Sequence, residues 1–131
     1  MKRKILIVED NIGLSQMQKD WFAQAGYDAV TAMNEPIARS LIRKTAFDLI
    51  LSDVRLPEGD GISLLEWLRK EKKDIPFIIT TEYVSVPDVV STIKLGAIDY
   101  LPKPIHREHL LELAEDCLLY TSPSPRDPKT S

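Results

Sequence analysis

Phe47-Asp48-Leu49-Ile50-Leu51-Ser52-Asp53-Val54-Arg55-Leu56-Pro57 decides the fold of this chain. Leu49 to Ser52 are apolar or small, and Asp53 follows at once. A short run of this kind reads as a strand buried on both faces, the habit of a parallel sheet covered by helices. It ends on a carboxylate and opens into a loop that holds Pro57, Gly59 and Gly61. Ligands of open parallel sheets sit just beyond the carboxyl ends of the strands. Asp53 therefore stands where chemistry is usually done. Taken alone, the plainer reading is an aspartate that caps a turn. The other strand ends decide between the two.

Lys4-Ile5-Leu6-Ile7-Val8 is a second apolar run, and it ends in Glu9-Asp10. Asn11 is placed to cap a helix. On that helix Leu14, Met17 and Trp21 share one line and Gln18, Phe22 and Ala25 the next, until Gly26 ends it. Tyr27 to Ala32 is a short strand. Asn34 caps a second helix with Pro36 in its first turn, and Ile37, Leu41, Ala38 and Ile42 are its inward residues. Beyond the Asp53 strand, Ile62, Leu64, Leu65 and Leu68 mark a third helix that fades into Glu71-Lys72-Lys73-Asp74. Pro76 to Thr80 is a fourth strand. Pro87 opens a fourth helix, with Val89, Val90, Ile93 and Leu95 apolar and Gly96 ending it. Ala97 to Leu101 is a fifth strand, Pro102-Lys103-Pro104 forces a rigid turn, and Leu110, Leu113, Ala114 and Cys117 mark a fifth helix. Five alternations of strand and helix specify an α/β fold, a flavodoxin-like (βα)5 doubly wound parallel sheet with strand order 2-1-3-4-5.

Composition bounds the rest. The chain has 131 residues, 44% hydrophobic and 28% charged, which suits one soluble domain with one core. A net charge of −3 argues against nucleic acid or an anionic membrane as a direct partner of this domain. No apolar run approaches a membrane span, and Ile5 to Val8 is too short for a signal peptide. One cysteine makes no internal disulfide. The cytoplasm is the default location.

In a 2-1-3-4-5 sheet the first, third, fourth and fifth strands are neighbours. Glu9, Asp10, Asp53, Thr80, Thr81 and Lys103 then converge at one edge. Three carboxylates this close repel unless a cation intervenes, and an oxygen-only donor set suits Mg²⁺. Such a cation and Lys103 could together neutralise an incoming phosphoryl group, while the Thr80 hydroxyl donates to one of its oxygens. The other chemistry-bearing residues are weaker candidates. His106 and His109 have a spacing that can bind metal but lack a further ligand. Trp21 and Trp67 read as packing or rim residues, and the charges from Glu66 to Asp74 as a solvated helix end.

The combination of Val8-Glu9-Asp10-Asn11, Ser52-Asp53-Val54-Arg55-Leu56-Pro57 with Gly59-Asp60-Gly61, Ile79-Thr80-Thr81, and Gly96-Ala97-Ile98-Asp99-Tyr100-Leu101-Pro102-Lys103-Pro104 resembles the receiver domain of bacterial two-component response regulators, over residues 4 to about 116. The resemblance implies a signalling module in a phosphorelay, not an enzyme. Asp53 would accept a phosphoryl group from a sensor histidine kinase. Asp10, Asp53 and the Arg55 backbone carbonyl would hold Mg²⁺, with Glu9 reached through water. Lys103 would pair with the phosphoryl group, Thr80 would swing toward it, and Tyr100 would turn inward behind Thr80. The output would be a shift of the face made by the fourth helix and fifth strand, a face that could also form a homodimer. The peptide between Lys103 and Pro104 is often cis in this family. Thr81 departs from it, since a small residue is usual there. Arg55 and Glu82 occupy variable positions thought to tune water access and hence the phosphoryl lifetime.

Within the family, the segments Glu82 to Asp88 and Tyr100 to Pro104 resemble receivers of enhancer-binding, ATPase-type transcriptional activators. DNA would then be met only through an effector domain that this sequence does not contain. A stand-alone receiver, or one attached to a winged-helix domain, is the alternative. An aspartate-nucleophile phosphatase would want a second aspartate two residues after the first, and Arg55 stands there instead. A nucleotide-binding module would want a Gly-rich loop where Asp10-Asn11-Ile12-Gly13 stands.

Composition changes at Cys117. Leu118 to Ser131 is rich in Ser and Pro, and Cys117 to Asp127 resembles the conceptual translation of a transposon-based sequencing-library adapter. The expected organisation is a receiver over residues 1–116 and a non-native tail over 117–131. The ordinary reading of the tail is a helix end and a Pro/Ser linker.

Overall fold

The computed structural model describes residues 2–82, 94 and 99–120. In chain order these form β1 (Lys4–Val8), α1 (Ile12–Gln24), β2 (Asp28–Ala32), α2 (Glu35–Lys44), β3 (Leu49–Asp53), α3 (Gly61–Lys70), β4 (Phe77–Thr81), β5 (Asp99–Pro102) and α4 (Arg107–Tyr120). The helix expected over Pro87 to Leu95 lies, apart from Lys94, outside the described residues, as do Ala97, Ile98 and the chain after Tyr120. Helix α4 is thus the fifth helix of the sequence reading.

All five strands run parallel, in the order β2-β1-β3-β4-β5 expected from the alternation of elements. β3 is central, and each of its residues is buried. Successive strand side chains point to opposite faces, and here the two faces build two cores. Leu6, Val8, Ile50, Phe77 and Ile79 pack with Ala38 and Ile42 of α2 and Leu64, Leu65 and Leu68 of α3. Ile5, Ile7, Leu49, Leu51, Ile78 and Leu101 pack with Phe22 of α1 and Leu110 and Ala114 of α4. A strand apolar at every position is what covering both faces requires.

Three helices start on side-chain caps. Asn11 Oδ1 accepts from Leu14 N at 2.9 Å, Asn34 Oδ1 from Ile37 N at 2.9 Å, and Asp60 Oδ1 from Ser63 N at 2.7 Å. Each cap follows the C-terminal end of a strand, so the caps fix the loops at the edge where the carboxylates gather.

Helix faces depart in part from the sequence reading. On α1 the buried line is Ser15, Gln18 and Phe22, while Met17 and Ala25 are exposed. Ser15 is tolerated inside because its hydroxyl donates to the Ile12 carbonyl at 3.1 Å. On α2 Ala38 and Ile42 face the core and Ile37 is exposed, because the buried stripe also includes Glu35 at the helix start. The charged stretch after α3 is not wholly solvated either. Arg69 is half-buried and donates to the carbonyls of Lys73 at 2.7 Å and Ile75 at 3.3 Å. It closes the turn that follows the helix, where Lys72 takes a φ of 60°.

Candidate functional site

β1 delivers Glu9 and Asp10, β3 delivers Asp53, and the turn after β5 delivers Lys103. Their backbones are pinned before any side chain matters. Glu9 N donates to Ala32 O of β2 at 2.9 Å, Val54 N to Thr80 O at 3.0 Å, and Lys103 N to Thr81 O at 2.8 Å. The Lys103–Pro104 peptide is cis.

Carboxylate oxygens of Glu9, Asp10 and Asp53 lie within 4.8 Å of one another, the one group of three metal-competent side chains among the described residues. Glu9 and Asp53 are buried and Asp10 is exposed. The Lys103 ammonium donates to Asp53 Oδ2 at 2.9 Å and to Glu9 Oε1 at 3.0 Å. The second Glu9 oxygen accepts from Asn11 N at 3.1 Å, and Asp53 Oδ1 faces Arg55 N at 3.4 Å. The cluster lines a cleft of about 430 Å³ that also presents Arg55, Thr81 and Glu82. A larger groove of about 770 Å³ lies between α1 and α4. It brings no such convergence of donors, so the smaller cleft is the candidate site.

Two ionisations are shifted here. Burial would lower the Lys103 pKa, but hydrogen bonds from its ammonium to Asp53 and Glu9 outweigh burial and hold it above the ordinary 10.5. Burial raises the Glu9 carboxyl above 4.5; the Asn11 N–H and Lys103 oppose the rise, and the Asp53 charge adds to it. A raised carboxyl binds its proton more tightly in the folded chain than in the unfolded one. Its contribution to stability is complete below 4.5 and is lost as pH rises through the folded pKa. With divalent cations chelated, the wild type is therefore expected to gain stability relative to Glu9→Gln as pH falls from neutrality toward 4.5. Urea midpoints of the two proteins at stepped pH check this.

The donor set fits a hard cation. It is oxygen-only, compact and formally three negative charges against one positive, and Mg²⁺ takes one or two carboxylates and completes its shell elsewhere. His106 and His109 do not join any such group among the described residues. The Thr80 side chain is buried, and its hydroxyl faces the Ser52 carbonyl at 3.4 Å rather than the cleft. Thr81, its neighbour, lines the cleft. Tyr100 is half-buried and packs against the α2–α3 core.

The sequence of the family described as the response regulator receiver domain matches residues 5–115. The chain belongs to the response regulator receiver domain family. This receiver is 30% identical over 126 residues to the response regulator protein PilR of Pseudomonas aeruginosa, covering 96% of this chain and 28% of PilR. It is 36% identical over 124 residues to the transcriptional regulatory protein ZraR of Salmonella typhimurium, covering 92% of this chain and 27% of ZraR. The receiver thus spans little more than a quarter of the length of these relatives. Among solved structures, the receiver domain of the Francisella response regulator 1452 superposes with a TM-score of 0.87 at 32% identity, covering 92% of this chain and 99% of that one. A CheY-like receiver protein from Methanospirillum hungatei superposes with a TM-score of 0.88 at 29% identity, covering 92% and 96%. Receivers are regulatory modules rather than enzymes of the ordinary kind. No helix among the described residues is long and apolar enough to cross a membrane.

Some of what surrounds the site was not evident from sequence. Asp60 as the cap of α3 and Glu35 as a buried acid beside the site loop were both missed. Asp60-Gly61 before an apolar helical run was the available signal for the first. For the second the only signal was the four-residue spacing of Glu35 and Arg39, because its partner in the loop lies 25 residues away.

Proposed function

We propose that this receiver accepts a phosphoryl group on Asp53 from a sensor histidine kinase and uses it to switch an output. The observation that carries this reading is the Lys103 ammonium held at 2.9 Å from Asp53 Oδ2, with two more carboxylates alongside. Asp10, Asp53 and the Arg55 backbone carbonyl are the residues that would hold Mg²⁺, with Glu9 reached through water. The ion would neutralise charge on the phosphoryl oxygens. The exposed Asp10 and the Glu9 already engaged by Lys103 and Asn11 support this split between direct and water-mediated donors.

Phosphoryl transfer asks mainly for positioning and charge neutralisation. An Asp53 oxygen attacks phosphorus, a P–O bond forms, and the bond to the donor's nitrogen breaks. Lys103 stays at the Asp53 carboxylate and meets the negative charge that arrives there. In the phosphorylated state the Thr80 hydroxyl exchanges its carbonyl partner for a phosphoryl oxygen, and Tyr100 moves inward behind it. Charge-assisted hydrogen bonds made only in that state bias a two-state element.

The output is transcriptional in this reading, delivered by an effector domain outside this sequence, of the enhancer-binding ATPase type. The relatives PilR and ZraR carry regulatory names and are several times longer than the matched region, which supports it. Homodimerisation would use the face of β5 and the helix expected over Pro87 to Leu95. In the same reading residues 1–116 form the receiver, which the end of the family match at 115 supports, and 117–131 are a non-native tail, although Cys117 and Leu118 pack into the core along α4.

Incubation with acetyl phosphate and Mg²⁺, followed by intact-mass analysis, tests the function. One phosphoryl adduct is expected, absent when Mg²⁺ is chelated and lost on treatment with hydroxylamine. An unchanged mass in a sample shown by calorimetry to bind Mg²⁺ would overturn the proposal.

A further inference from the structure

We infer that Glu35, at the start of α2, is a positioning residue for the cation-binding loop after β3; this rests on the function proposed above. Glu35 is 4% exposed, an uncommon state for a glutamate unless it is paired. Its partners are specific. Oε1 accepts from Asp60 N at 3.1 Å, and Oε2 accepts from the Arg39 guanidinium, at 2.9 Å from Nε. The Glu35 backbone N–H donates to Glu58 O at 3.2 Å. The first turn of α2 and the loop between β3 and α3 are therefore tied by hydrogen bonds running in both directions.

The loop is shaped to receive this side chain. Gly59 has a φ of 80°, and a Cβ there would strike Glu35 Oε1 and come within 2.8 Å of its Cβ. Only a residue without a side chain lets the carboxylate lie against the loop backbone. The clamped residue, Asp60, forms an isolated antiparallel bridge with Arg55. Arg55 is the residue whose backbone carbonyl is assigned to Mg²⁺. Fixing Asp60 thus fixes the backbone of Arg55 from the far side of the loop.

Arg39 extends the support to α3. Its guanidinium carbon lies 5.2 Å from the centre of the Trp67 ring, and that of Arg43 lies at the same distance. A cation over an indole face is attracted by the ring's quadrupole. Glu35, Arg39 and Trp67 therefore link α2, the loop and α3 into one bracket, with none of the three among the metal donors. Losing a group hydrogen-bonded directly to a metal ligand typically weakens metal binding 10- to 100-fold; Glu35 acts one residue further out, through Asp60, so a smaller loss follows.

The experiment is Mg²⁺ titration by isothermal calorimetry of the full chain and three variants, with melting temperatures alongside. Glu35→Ala is expected to weaken Mg²⁺ by about 3- to 10-fold, below the range for groups that touch a ligand directly. Glu35→Gln keeps an acceptor for Asp60 N but presents an amide N–H₂ to Arg39, so an intermediate loss is expected. Phe22→Leu trims the core on the opposite face of the sheet, away from the loop; it should lower the melting temperature and leave Mg²⁺ affinity unchanged. Wild-type affinity in both Glu35 variants, with the wild type itself binding Mg²⁺ and taking up phosphoryl, would overturn the positioning role alone. If Glu35→Ala fails to fold, Glu35→Gln decides. A wild type that neither binds Mg²⁺ nor is phosphorylated would overturn the functional reading and this inference with it.

Discussion

Lys103→Met is expected to lower the stability of the cation-free domain by about 3–5 kcal/mol, the range for removing one partner of a buried ion pair. The lysine side chain is 12% exposed and lies between carboxylates that are 3% and 10% exposed. Methionine fills the same volume but leaves Glu9 and Asp53 facing each other without a counter-charge. The raised Lys103 pKa carries the same sign: the charged form is favoured by the fold. Its contribution is complete below 10.5 and is lost as pH rises through the higher folded value. The variant should therefore lack that part of the alkaline loss of stability. Mg²⁺ should stabilise the variant more than the wild type, because the cation replaces a charge the variant lacks and meets no ammonium on arrival. Urea unfolding with and without Mg²⁺ checks both points. Equal Mg²⁺ stabilisation of the two proteins would contradict the placement of the cation beside Lys103.

Gly61→Ala is expected to cost about 1–3 kcal/mol, the range for overpacking a filled interior. Gly61 opens α3, and its N–H donates to Val54 O at 2.8 Å. A Cβ on it would run into the Asp53 carbonyl oxygen and lie 3.0 Å from Ser52 Oγ. The obstacle is backbone, which cannot rotate away, so β3 and α3 must separate at the residue proposed to accept the phosphoryl group. For a domain of this size each kcal/mol shifts the melting temperature by about 4 °C. Mg²⁺ affinity should fall together with the melting temperature, because the displaced group is Asp53 itself. Calorimetric melting and Mg²⁺ titration of the variant measure the two.

The strand order and the site were legible for the same reason. A strand covered on both faces must be apolar throughout, so Ile5 to Val8 and Leu49 to Leu51 announce themselves. Carboxylates that follow such runs at once can only lie at the sheet's edge. Lys103 stood out because prolines flank it. Helix faces were less legible. Ile37 and Met17 are apolar yet exposed, while Ser15, Gln18 and Glu35 are polar yet buried. Periodicity locates a helix but not the rotation that docking imposes on it. Polar residues go inside where local partners exist, as the Ile12 carbonyl does for Ser15 and Asp60 N and Arg39 do for Glu35. Ile12 and Arg39 stand within four residues of the groups they pair with, but Asp60 is brought to Glu35 only by the fold and leaves no mark on the sequence nearby. The Thr80 hydroxyl is a related case. Its position at the strand end was legible, but its turn toward the Ser52 carbonyl depends on β3 lying beside β4.

Asp53, and no neighbouring carboxylate, is expected to carry the phosphoryl group. Glu9 and Asp10 lie in the same cluster, so a mass increase alone does not separate the three. Borohydride reduces an acyl phosphate to an alcohol and leaves a free carboxylate intact. Reduction after treatment with acetyl phosphate and Mg²⁺, followed by tandem mass spectrometry of the peptides spanning residues 4–11 and 47–60, locates the group. Conversion of aspartate to homoserine is expected at position 53 alone, and none when Mg²⁺ is chelated. Conversion at Glu9 or Asp10, with Asp53 untouched, would contradict it.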